Sequence, residues 1–176
     1  MARVDAAEVF DKIIDGAWRN GEPGMIFMDW VNHKNPTPHI GPMTATNPCG
    51  EQPLPAWAVC NLGHINLSRF TANGKVKWDE LGHSVRTSVR FLDNVIDATP
   101  YFFPQNADQQ KDERRVGMGT IGLAEMLIRL GIRYGSSESE EFIDKLYSFI
   151  AREAYLASSS IAEEKGSFKL FEADQF

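Results

Sequence analysis

The sequence predicts an α/β fold built as one domain, with most of its helix in the C-terminal half. Three observations point there. Residues 5–20, 79–97 and 138–165 carry apolar side chains at helical spacing. Between them lie short apolar stretches of strand length, "MIFMDWV" at 25–31 and "CNLGHINLSRF" at 60–70, bounded by turn chemistry. No internal repeat or low-complexity linker divides the chain, so residues 1–176 read as a single unit.

In the first segment, Val9, Phe10, Ile13, Ile14, Ala17 and Trp18 follow the i, i+3, i+4, i+7 pattern of one buried helix face, and "NGEPG" stops it. Residues 25–31 are apolar enough for a buried strand. "NHKNPTPHIGPM" then runs through three prolines and a glycine without periodicity and reads as a long loop, with His33 and His39 in solvent. Leu62, Ile65 and Leu67 alternate only loosely, and a strand is the better reading of 60–70. Asn73-Gly74 marks a tight hairpin turn. Leu81, Val85, Val89, Leu92, Val95 and Ile96 share one face of the second helix, whose N-terminus is favoured by Asp79 and Glu80. Pro100 and Pro104 break it. Residues 117–130 read as loop passing into helix, and 138–165 as a long helix stopped by Gly166. Trp18, Trp30, Trp57 and Trp78 read as packing residues.

Apolar residues make up 43% of the 176 and charged residues 24%, which suits an ordinary globular core and argues against disorder. A net charge of −6 argues against nucleic acid as a main partner, since phosphate binding wants a basic face. "KDERR" at 111–115 is the only compact basic run, and its own acids dilute it. The first residues lack the apolar run of a signal peptide, and no window reaches the ~18 apolar residues of a membrane span. Two cysteines do not make a secreted disulfide scaffold; a cytoplasmic chain with reduced thiols is expected.

Both thiols fall within "TNPCGEQPLPAWAVC". Asn47-Pro48-Cys49-Gly50 matches the type I turn position by position: Asn at the first place, Pro presetting φ at the second, Gly at the fourth. Cys49 is left at the third place, in the bridge region where active-site residues often sit. Such a turn holds a thiol outward on a stiff tip, with Asn47 and Glu51 beside it. A neighbouring carboxylate raises a thiol's pKa. The arrangement therefore suits chemistry of the S–H bond better than thiolate attack.

"NPCGEQPL" followed by "CNLGHINLSRF" resembles the finger-loop region of the large, catalytic subunit of ribonucleotide reductases, most of all the adenosylcobalamin-dependent class. "GEPGMIFMDWVN", "VRFLDNVID", "RRVGMGTIGLAEML" and "AYLASSSIAEEKGSF" resemble successive segments of the same catalytic barrel, in order and over nearly the whole chain. The resemblance implies part of a ten-stranded α/β barrel with the finger loop at about 44–60. It implies Cys49 as the thiyl-radical cysteine that takes the 3′-hydrogen of a ribonucleotide, and Glu51 as the base on the 3′-hydroxyl. Asn47 would orient the substrate hydroxyls, and Cys60 would be one of two thiols that reduce the 2′ position and end as a disulfide. It also implies adenosylcobalamin as radical source, a dithiol reductant such as thioredoxin, and a homodimer of the complete enzyme. The second reducing thiol, the regulatory loops and the cobalamin contacts are not recognisable here, so the chain reads as one piece of a larger subunit. His64 stands where the family more often has a small residue. "GMGTIG" at 117–122 superficially suggests a nucleotide loop, and by resemblance becomes a barrel turn near the substrate.

Three other readings compete. Cys49, Cys60, His64 and His39 or His33 offer a zinc set, but only Cys60 and His64 have ligand spacing. Cys49 with His64 as base would make a cysteine hydrolase, provided the two meet in space. The amphipathic helices alone would make a non-catalytic interaction module.

Overall fold

The computed structural model describes residues 3–175. Helix α1 (Ala6–Asn20) begins at Asp5, whose carboxylate caps the Ala7 N–H at 2.8 Å, and ends at Gly21 in the left-handed region. Its apolar stripe is real but is not buried: no residue of α1 is inside, and Trp18 is 82% exposed. Residues 25–31 are not a strand. Chain in irregular form leads into α2 (Met28–His33), where Asn32 clamps Met43 by donating to its carbonyl at 3.0 Å and accepting from its N–H at 2.7 Å. That clamp anchors the proline-rich loop. His33 is exposed as expected, whereas His39 is half-buried with Nε2 3.1 Å from the Leu170 carbonyl.

Strands β1 (Ala45–Thr46) and β2 (Pro53–Leu54) form an antiparallel hairpin that carries the cysteine turn. Within 60–70 only β3 (Leu62–Asn66) is strand; a 3-10 turn follows at Leu67–Phe70, started by Asn66 accepting from the Ser68 N–H. Strands β4 (Thr71–Ala72) and β5 (Lys75–Val76) close around Asn73 and Gly74, both at positive φ, as a two-residue hairpin turn requires. Then come α3 (Trp78–Ala98), α4 (Pro104–Glu113), β6 (Gly117–Ile121), α5 (Leu123–Leu130) and α6 (Ser137–Lys165).

Residues 117–121, read from sequence as loop, are thus a strand, and β6 pairs in parallel with β3, Leu62 opposite Gly117 through Asn66 opposite Ile121. The glycines disguise it. A Cβ at Gly117 would collide with the Leu62 side chain, and one at Gly119 would lie 2.8 Å from the His64 ring. The side chains of Leu62 and His64 lie across β6 where it lacks side chains of its own. His64 is accommodated in this way.

The core lies where α3 and α6 pack together beside β3 and β6. Ile65, Leu67, Leu81, Val85, Met126, Leu146 and Ile150 form its centre; Val89, Ala157 and Ile161 form a second cluster. The stripe on α3 is therefore core, not a free docking face. Truncating Leu81 or Leu146, both fully buried, would cost about 2–5 kcal/mol. Of the four tryptophans only Trp78 packs inward, edge-on to Phe149 at 4.9 Å; Trp18, Trp30 and Trp57 are exposed. Most of the charge in the run at 111–115 is engaged in ion pairs: Arg114 with Asp93 and Asp97, Arg115 with Glu113, and Asp112 with Lys169. Among the described residues no helix is long and apolar enough to cross a membrane.

Candidate functional site

The cysteine turn closes as its residues dictate. The Gly50 N–H donates to the Asn47 carbonyl at 3.0 Å, with Pro48 and Cys49 between. Gly50 then takes φ +83°, a left-handed conformation that its lack of a Cβ makes inexpensive. Asn47 and Gln52 pair through the backbone below the turn, Asn47 N–H to Gln52 carbonyl at 3.3 Å. The Asn47 side chain adds a further strut, its Oδ1 accepting from the Gln52 N–H at 3.0 Å. Asn47 and Gln52 are buried, while Cys49 and Glu51 stand exposed at the tip.

Cys60 arrives from the other side, at the foot of β3. Its thiol donates to Gln52 Oε1 at 3.2 Å. Burial raises its pKa, and so do the nearby Glu51 carboxylate and, more weakly, Cys49; a hydrogen bond with the Asn47 side chain opposes them without prevailing. The four residues singled out from sequence, Asn47, Cys49, Glu51 and Cys60, are therefore one neighbourhood, and Cys60 is held in its protonated form. Neither cysteine is in a disulfide.

The segment bearing Cys60 has little regular structure and is held by amides. Gln110 of α4, fully buried, accepts from the Val59 N–H at 3.2 Å and donates to the Arg115 carbonyl at 2.9 Å. Asn106, also of α4, donates to the Trp57 carbonyl at 2.6 Å, where Trp57 sits at φ +64°. Asn61 donates from its side chain to the Leu92 carbonyl at 2.9 Å, and its backbone carbonyl accepts the Gly117 N–H at 2.8 Å. Sequence reasoning missed Gln52, Asn61, Asn106 and Gln110. The one available signal for α4 was Pro104, which occupies the first helical position.

The zinc and hydrolase readings lack a supporting arrangement of side chains. Among the described residues no group of three or more His, Cys, Asp or Glu side chains is placed to hold a metal ion. His64 lies against Gly119, and no hydrogen bond joins it to Cys49 among the described residues.

The whole chain, residues 1–176, matches the family model described as ribonucleotide reductase, barrel domain. The chain belongs to that family. Over all 176 residues it is 45% identical to a vitamin B12-dependent ribonucleoside-diphosphate reductase of Mycobacterium tuberculosis, of which it covers 25%. It is 46% identical over 169 residues, 96% of the chain, to the protein of the same description from Thermoplasma acidophilum, covering 22% of that protein. Against a ribonucleoside-diphosphate reductase subunit alpha of Chlamydia pneumoniae the identity is 33% over 99% of the chain and 17% of the relative. The chain thus spans about a quarter or less of these relatives, and the parallel β3–β6 pair with its helices is a section of the ribonucleotide reductase barrel.

Proposed function

We propose that this section carries the radical loop of a ribonucleotide reductase and acts in the conversion of ribonucleotides to deoxyribonucleotides once the rest of the catalytic subunit surrounds it. The single observation that supports this most is the convergence of Asn47, Cys49 and Glu51 of one stiff turn on the protonated thiol of Cys60.

The roles follow from the chemistry of each group. Cys49, exposed on the rigid tip, offers an S–H bond in the open, which fits a group that must lose its hydrogen atom and then take one from ribose C3′. When bound, adenosylcobalamin supplies homolytic chemistry, the acceptor for that first hydrogen atom. Glu51 takes the 3′-hydroxyl proton, and Asn47 orients the substrate hydroxyls. Cys60 and a second thiol from the rest of the subunit supply the two electrons and two hydrogens that replace the 2′-hydroxyl by hydrogen. The balance is one C2′–OH and two S–H groups giving one C2′–H, one water and one disulfide. An external dithiol such as thioredoxin then restores the pair. The raised pKa of Cys60 suits this role, because the hydrogens come from thiols rather than thiolates. A diphosphate substrate, adenosylcobalamin dependence and a homodimer of complete subunits belong to this reading.

The test is Cys60→Ser in the complete catalytic subunit containing this section, assayed with a ribonucleoside diphosphate, adenosylcobalamin and dithiol. Multiple turnover should vanish while a cobalamin-linked radical signal on addition of nucleotide persists. Ordinary steady-state turnover by this variant would overturn the assignment.

A further inference from the structure

We propose that Gln52 is a positioning residue that ties the radical turn to the reducing thiol. The proposal rests on the reading of Cys60 given above, but its first test does not depend on that reading.

Gln52 is buried, and its backbone N–H, its backbone carbonyl and its side-chain oxygen are all engaged. Its N–H donates to Asn47 Oδ1 at 3.0 Å and its carbonyl accepts from the Asn47 N–H at 3.3 Å, so its backbone closes the base of the turn. Its side-chain Oε1 accepts the Cys60 thiol at 3.2 Å. The amide is pressed against β6 at Gly117, where an added Cβ would lie 3.1 Å from Nε2 and 3.2 Å from Oε1. The side chain is closely packed on this side, and a Cβ at residue 117 would press on it. One residue thus sets both the shape of the loop that presents Cys49 and the direction of the Cys60 S–H bond.

The chemistry favours an amide here. A carbonyl oxygen accepts from S–H and so holds the thiol protonated and directed. A carboxylate in its place would add a second negative charge beside the one at Glu51. An aliphatic side chain would leave the exposed thiol free to rotate about its Cα–Cβ bond.

The test is site-resolved alkylation with iodoacetamide, read by peptide mass spectrometry from pH 6 to 10 on the full chain, with Gln52→Glu and Gln52→Leu. In Gln52→Glu the Cys60 titration should move upward, and alkylation at pH 8 should slow about tenfold for every pH unit the midpoint moves. The movement at Cys60 should exceed that at Cys49. In Gln52→Leu the high-pH plateau rate of Cys60 should rise severalfold, and in the complete catalytic subunit kcat for nucleotide reduction should fall tenfold or more with KM unchanged, since the Gln52 side-chain oxygen is taken up by a thiol. A Cys60 profile in Gln52→Glu that superimposes on the wild type, or that moves no more than that of Cys49, with melting temperature preserved, would overturn the proposal. Should Gln52→Leu fail to fold, the near-isosteric Gln52→Glu still decides. If the complete catalytic subunit built around this section shows no nucleotide reduction, the functional reading falls while the alkylation result still stands by itself.

Discussion

Glu51 acts on Cys60 through space, and that effect has a sign. The carboxylate raises the thiol pKa, second only to burial. Glu51→Gln should therefore lower the Cys60 pKa and speed its alkylation at pH 7.5 severalfold, while eliminating a base from the loop. Slower alkylation in that variant would contradict the placement of the two side chains. At this scale the sequence was informative about the turn, because Asn47, Pro48 and Gly50 each specify their own backbone geometry. Gln52 was not legible: nothing in a lone glutamine after a glutamate says that a thiol eight residues on will donate to it.

Elements divide by how their sequence advertises them. Helix α3 was legible because Leu81, Val85, Val89, Leu92 and Ile96 bury one stripe. Helix α4 was not, because its buried residues are Gln110 and Glu113 and its sequence shows no apolar period. Strand β6 was obscured by glycines that make room for Leu62 and His64. The 25–31 stretch misled in the other direction, being apolar yet ending as part of an exposed helix. Helix α4 is nonetheless what holds the Cys60 segment. Gln110→Leu would strand the Val59 N–H and the Arg115 carbonyl, each costing about 1–3 kcal/mol if left unsatisfied. Thermal melting should register the loss, and Cys60 alkylation should become faster and less selective.

A second element-scale prediction concerns the junction of α3, α4 and α6. Arg114 hydrogen-bonds Asp97 through both of its terminal nitrogens at 2.8 and 2.9 Å and reaches Asp93 at 2.8 Å, while Lys165 joins Asp93 at 2.6 Å. Hydrogen bonds from Arg114 hold the Asp97 carboxyl down to about 2, against an ordinary value of ~3.9. A depressed carboxylate contributes stability above its unfolded pKa and loses it as pH falls through its folded one. The melting-temperature gap between wild type and Asp97→Asn should be widest at pH 5–7 and should close between about pH 4 and 2. Half of the Asp97 side chain is exposed, so added salt should narrow the gap. A gap that grows on acidification would contradict the assigned ion pairs.

For the molecule as a whole, the exposed apolar surface fits a section of a barrel. Val9, Phe10, Ile14 and Trp18 of α1, Phe102 and Phe103 before α4, and Ile128 of α5 are all exposed. Among the described residues β3 and β6 pair only with each other, leaving an open edge on either side. These features agree with a chain that spans about a quarter of its relatives. They explain why α1 misled: its stripe is apolar, but among the described residues nothing covers it. Radical chemistry at the exposed Cys49 tip requires that larger assembly to exclude water around it.

The most direct measurement is reduction of a ribonucleotide deuterated at C3′ by the complete catalytic subunit containing this section, with adenosylcobalamin and dithiol, comparing wild type with Cys49→Ser. Hydrogen abstraction by Cys49 requires a normal kinetic isotope effect on kcat/KM for the wild type and loss of turnover in Cys49→Ser at unchanged melting temperature. Turnover by Cys49→Ser near the wild-type rate would contradict it.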